Sequence, residues 1–230
     1  MLVAIICGFA IGESPINAIQ MLWLNVIMDS FASLALATQP PTKDLLKRHP
    51  TKKNEKIITE FMWRFIIIQV LCQFVVLMVI LFYGDRWLGV PSGIGHVHDW
   101  TPETGVHFTF FFSVFVYLQM FNFINARVLK KSEKNPFVRL CDNWIFWVIV
   151  ILTFVGQIVF VEAFGAPVRC THLTIQQHII SILIGVLSLI FGFLAKILPD
   201  NCLPVPRFMK ENDDDEKRFE LESFLKKKNI

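Results

Sequence analysis

Apolar positions in this chain fall into long uncharged blocks separated by short polar connections. They do not form the alternating or every-third-residue stripes of a half-buried strand or a surface helix. A block of about 18 or more such residues is long enough to cross the hydrocarbon core as a helix, since a helix rises about 1.5 Å per residue and the core is about 30 Å thick. Full spans are predicted at about 17–38, 65–83, 106–126, 144–164 and 178–195, and a partial one at 1–11 stops at Gly12 and Pro15. The expected fold is an all-α membrane protein, a bundle of about five full transmembrane helices plus a partial N-terminal one. It forms one membrane domain over 1–198, followed by a charged cytosolic tail over 199–230. Barrel strands would be shorter and would alternate in polarity. The 1–11 block is too short to span, so the chain is expected to begin partway through a helix; it shows no basic flank or cleavage site of a signal peptide.

Charge adds a direction. Lys and Arg number seven between the first two full spans (Lys43 to Arg64), one in the next connection (Arg86), five in the next (Arg127 to Arg139), one in the next (Arg169), and eight from Lys196 onward. By the positive-inside rule the three basic groups and the C-terminus face the cytosol, and the segments holding Arg86 and Arg169 face the other side.

Composition agrees with a membrane protein: 54% of the residues are hydrophobic and 23 are Phe. A net charge of only +3 gives no reason to expect a nucleic-acid partner, so the partner implied is the lipid bilayer. Five scattered cysteines without CxxC spacing argue against a zinc site or a disulfide framework.

Polar residues inside the spans carry the chemistry. Asn25 and Asp29 are four apart, which stacks an amide and a carboxylate on one helix face. A mid-span carboxylate costs on the order of 3 kcal/mol on insertion scales, so it is retained mainly where it meets a polar cavity or a ligand. Oxygen donors suit a hard cation such as calcium, but two side chains cannot fill a shell of about 6 to 8 oxygens; the alternative is an interhelical hydrogen-bond pair. Gln119 and Asn122, with Asn125 a turn on, form a second stripe that could line the same cavity or simply hold helices together. Gln69 and Gln73 form a third. Glu162, near a span end, can reach the interface. His96, His98 and His107 are a weak metal pattern; solvated loop histidines are the commoner case. Phe108, Phe110 to Phe112, Trp144, Phe146 and Trp147 are expected to face lipid or the interface. Residues 219–228 could form a short amphipathic segment, although a solvated tail is the simpler reading.

The string MLWLNVIMDSFASLALATQPP, Met21 to Pro41, closely resembles the sixth transmembrane helix of P-type calcium-transporting ATPases of the plasma-membrane, calmodulin-regulated type. The run QMFNFINAR, Gln119 to Arg127, resembles the eighth helix of that branch, and the other blocks fall in order for helices seven, nine and ten. The resemblance covers nearly all of residues 1–206. It implies that Asn25 and Asp29 ligate transported calcium, and that the neutral Gln119, where the reticulum branch has a glutamate, goes with a single ion site. Met28 also looks like the plasma-membrane branch.

Departures from the family pattern limit what the resemblance implies. No DKTG phosphorylation motif and no PEGL segment occur in these residues, and the nucleotide-binding and actuator domains of the family are not among them. ATP and magnesium would therefore act only through those missing domains, and this chain alone is not expected to hydrolyse ATP. The tail from Arg207 lacks the basic, aromatic pattern of a calmodulin-binding segment, which argues against calmodulin as a partner. The implied function is the membrane part of an ATP-driven calcium export pump, in the plasma membrane or an internal (vacuolar or contractile) membrane. Its partner would be the N-terminal half of the pump or a full-length pump. The alternative is a stand-alone, non-catalytic polytopic protein acting as a regulator or scaffold.

Overall fold

In a computed structural model, residues 6–7, 12, 14–38, 60–94, 101–127 and 143–197 are described. The partial block at 1–11 falls mostly outside these residues. So do His96, His98 and the tail at 199–230, including 219–228.

Five helices in the described residues are long and apolar enough to cross a membrane. The first span is built from α1 (Ala18–Asn25), a π-helical segment (Val26–Ala32) and α2 (Ser33–Ala37). The others are α3 (Glu60–Leu88), α4 (Pro102–Ala126), α5 (Trp144–Phe164) and α6 (Ile175–Ile197). α3, α4 and α6 run past the predicted apolar blocks, whereas the first span and α5 keep to theirs, and capping residues and a glycine mark several of the ends. Asn17 caps α1 in a capping box with Gln20. Thr101 caps α4 just before Pro102, whose ring presets the first turn. Gly165, at φ +44°, stops α5 in a conformation that favours glycine.

The register of the bundle follows from cross-helix contacts. α4 is the central helix, and Phe110, Phe111 and Phe112 are buried on it, which corrects the expectation that these aromatics face lipid. They are in the core because α4 is covered on several sides, which an all-round apolar helix permits. Trp144 and Trp87 do stay exposed, at opposite ends of the bundle, as an interfacial belt requires. α6 runs parallel to α4 and lays a face of small residues on it: Ser181, Gly185, Ser188, Gly192 and Ala195 are all buried. Small residues let two backbones approach where lipid supplies no hydrophobic drive for association. The first span runs antiparallel to α5, with Trp23 beside Gln157 and Thr38 beside Asn143.

These registers place Arg64, Arg127 and Lys196 at one end of the bundle, with Thr38 and Asn143. Arg86 and Arg169 lie at the other, with Gln20 and Glu162.

Candidate functional site

The first span carries the candidate ion ligands, and its helix is not regular there. Asn25 has αR backbone angles and immediately precedes the π-helical segment Val26–Ala32, which contains Asp29. π segments are rare and are frequent at functional sites; each switch from the i−4 to the i−5 ladder rearranges which carbonyls are bonded. The segment closes at Ser33, whose N–H and hydroxyl both turn back to the Ser30 carbonyl.

One face of this span is held by the bundle and the other is not. Gln20, Leu24, Ile27 and Ala35 are buried against it, whereas Leu22, Asn25, Val26, Ser30 and Ser33 are exposed. Asn25 thus lies on the face of the span away from α5, the face that also carries Ser30 and Ser33. The backbone of Asp29 lies in the π segment; its side chain is outside what is described. Among the described residues no three His, Cys, Asp or Glu side chains are arranged to hold a metal ion.

The outer ends of this span are pinned by polar contacts. The Gln20 amide accepts from the Asn17 N–H at 2.9 Å, and its nitrogen donates to the Val168 carbonyl at 3.3 Å and to Cys170 Sγ at 3.4 Å. The Trp23 indole donates to Gln157 Oε1 at 2.9 Å and stacks on Phe160 with centroids 4.7 Å apart. At the other end the Asn143 amide donates to the Thr38 carbonyl at 3.1 Å.

The amides of α3 and α4 are used mainly between helices. Gln119 donates to Gln73 Oε1 at 3.0 Å, Gln69 bonds to the Ser188 hydroxyl, and Asn125 Nδ2 donates to the Ser188 carbonyl at 2.7 Å. Asn122 Oδ1 is buried without a hydrogen-bond partner. Gln119 thus bridges α4 to α3, and among the described residues no hydrogen bond joins Gln119 or Asn122 to Asn25.

His107 is fully buried. Its Nδ1 accepts from the Gly93 N–H at 3.3 Å, which leaves Nε2–H to donate to the Ile80 carbonyl at 3.1 Å. Both ring nitrogens are occupied in fastening the α3–α4 corner, so this histidine is not offered to a metal.

Glu162 does more than reach an interface. It accepts from His172 Nδ1 at 2.8 Å, His178 Nε2 at 3.0 Å and the Leu173 N–H at 3.2 Å. Its spacings of 10, 11 and 16 residues from these partners cross a turn, and no helical periodicity reveals them.

The cation transporting ATPase C-terminus family matches residues 13–198. The chain is 41% identical over 199 residues to plasma membrane calcium-transporting ATPase 1 of Homo sapiens, an alignment covering 86% of this chain and 16% of that protein. It is 39% identical over 206 residues to plasma membrane calcium-transporting ATPase mca-1 of Caenorhabditis elegans, covering 88% of this chain and 16% of the relative. Plasma membrane calcium-transporting ATPase 4 of Bos taurus is 39% identical over 199 residues. The chain thus spans 16% of the length of these relatives. With five membrane-length helices inside the matched region, the chain belongs to the cation-transporting ATPase family and corresponds to the C-terminal membrane portion of its plasma-membrane calcium-transporting branch.

Proposed function

We propose that this chain is the membrane part of an ATP-driven calcium export pump of the plasma membrane, and that Asn25 and Asp29 supply part of its intramembrane calcium site. The observation that carries the reading is the first span itself. It leaves regular helical geometry over Val26–Ala32, and Asn25 turns away from the helices that, among the described residues, pack on that span. A polar side chain exposed at mid-span is costly in lipid and sensible against partner helices that complete an oxygen shell. Since the relatives are far longer, the remaining ligands, together with ATP and magnesium chemistry, belong to the rest of the pump.

In that setting the basic end of the bundle, with Arg64, Arg127 and Lys196, faces the cytosol, and the Glu162 end faces the exterior. Phosphorylation elsewhere in the pump would shift the helices. The π segment is the place where the first span can change register at small cost, releasing ion from Asn25 and Asp29. Gln119 serves as an interhelical contact to Gln73 of α3; it is neutral and adds no charge to a second ion site.

The experiment joins this chain to the upstream portion of a relative's pump and measures calcium-dependent ATP hydrolysis and calcium uptake in vesicles. Activity is expected, and Asp29→Asn is expected to abolish uptake while the protein still reaches the membrane. Uptake retained by that variant would sink the site assignment.

A further inference from the structure

The first span and α5 are fastened to each other twice, once on either side of the π segment. Toward the Glu162 end, the Trp23 indole donates to Gln157 Oε1 at 2.9 Å and its ring stacks on Phe160. At the Arg127 end, Asn143 Nδ2 donates to the Thr38 carbonyl at 3.1 Å and to Thr38 Oγ1 at 3.4 Å, while Asn143 Oδ1 caps α5 by accepting from the Phe146 N–H. Gln157 and Asn143 are both buried, so water does not compete for either contact.

The two helices do not bring equal lengths to these contacts. Thr38 lies 15 residues past Trp23, whereas Gln157 lies 14 past Asn143. As regular α-helices the two stretches would measure about 22.5 Å and about 21 Å, and they would differ by one residue's rotation, about 100°. A π turn bonds i to i+5 and so takes up one residue more than an α turn. The extra residue shows in the burial pattern. Ile27 and Ala32 both lie in the core, at 0% and 5% exposed, although five residues of regular α-helix would turn them about 140° apart. On either side of the segment the ladder is α-helical: the Val26 N–H reaches the Leu22 and Trp23 carbonyls, and the Thr38 N–H reaches the Leu34 carbonyl at 3.1 Å.

We propose that α5 acts as a ruler for the first span. Gln157 and Asn143 hold Trp23 and Thr38 at a 14-residue spacing, and the residue left over is kept as the π segment that follows Asn25 and contains Asp29. Opening either contact lets the segment revert to a regular helix, which turns one side of it by about 100° against the other. Gln157 and Asn143 are therefore positioning residues for Asn25 and Asp29. That role rests on the calcium reading; the ruler itself rests on the two contacts and the count between them.

Taking one residue out of the segment, against putting one in, tests the ruler. Deleting Ser30, an exposed residue, leaves Ile27 and Ala32 four apart and Trp23 and Thr38 14 apart, so a continuous α-helix satisfies both contacts. Inserting an alanine after Ser30 leaves two residues over. In the full chain in bicelles, unfolding followed by steric trapping should be sped about 2-fold or less by the deletion and about 10-fold or more by the insertion. In the Asn143→Ser background, where serine still caps α5 but is too short to reach Thr38, the two changes should have equal effects. A deletion as damaging as the insertion, or an asymmetry that survives Asn143→Ser, overturns the ruler. In the pump joined to a relative's upstream portion, Asn143→Ser should raise the calcium concentration for half-maximal ATP hydrolysis about 5-fold and leave the maximal rate within about 2-fold. An unchanged calcium dependence overturns the positioning role. The unfolding measurement contains no calcium, so failure of the ruler leaves the calcium reading standing, and failure of the Asp29→Asn test leaves the ruler standing.

Discussion

The Asn125 amide fills the notch that Gly192 leaves in α6: a Cβ built on Gly192 would collide with Asn125 Nδ2 and stand 2.6 Å from its Oδ1. The same amide donates to the Ser188 carbonyl one turn earlier, so the notch and the hydrogen bond fix the depth of α4 against α6 together. Gly192→Ala must push the amide out or part the helices, and overpacking of this kind costs about 1–3 kcal/mol. Gly156→Ala is the control, because its Cβ would meet the Trp23 ring at an ordinary 3.5 Å. Steric-trap or denaturant unfolding in bicelles should show a marked loss for the first and little change for the second.

How much of this was legible in the sequence depends on the length scale. The spans were, since a block of uncharged residues needs only its length to cross a bilayer, and the Asn25–Asp29 spacing needs only helical geometry. The π segment was not: nothing in the residue pattern of Val26 to Ala32 distinguishes it from a continuous α-helix. The small face of α6 was present as Ser181, Gly185, Ser188 and Gly192, but its meaning depends on which helix lies against it, and α4 is distant in sequence. The burial of Phe110 to Phe112 is hidden in the sequence for the same reason. In a membrane an apolar residue suits lipid and core equally, so hydrophobicity cannot tell the two apart. The partners of Glu162 lie across a turn, where helical spacing does not point to them.

Trp23 and Gln157 offer a direct measure of what holds the first span to α5. Gln157 is fully buried, its Nε2 has no partner, and the Trp23 indole is the donor to its Oε1. Trp23→Phe keeps the aromatic body near Phe160 but strands both ends of the Gln157 amide, for an expected cost of about 1–3 kcal/mol. Gln157→Leu strands only the indole N–H. A double-mutant cycle should return a favourable coupling of about 1 kcal/mol, within the range found for interhelical bonds in membranes. A coupling near zero would mean that packing alone holds this contact.

His107→Leu tests the α3–α4 corner. It removes the acceptor of the Gly93 N–H and the donor to the Ile80 carbonyl while keeping apolar volume. The Ile80 carbonyl belongs to α3 and keeps its helical partner, so the main loss is at Gly93. Exchange of the Gly93 amide should rise about 10-fold, with the protection of Phe110 to Phe112 unchanged. Loss of protection through α4 would instead make His107 part of the global core.

Cys170 reports on the connection between α5 and α6. The thiol is 1% exposed, and burial pushes its pKa up, against smaller opposing effects of hydrogen bonds from Gln20 and Thr109. Only the thiolate attacks a maleimide, so a raised pKa and a closed environment both slow the reaction. Cys170 should resist a soluble maleimide near neutral pH and label only when residues 168–173 open, because the thiolate fraction remains small until the pH rises well into the alkaline range. Gln20→Leu removes one donor to the sulfur and one anchor of the connection, which has opposite effects on the two controls: the pKa rises further, yet opening becomes easier. If opening governs, labelling of the variant should be faster than wild type by about 5-fold or more. If thiolate supply governs, it should be slower, so the direction of the change, followed by mass spectrometry, separates the two.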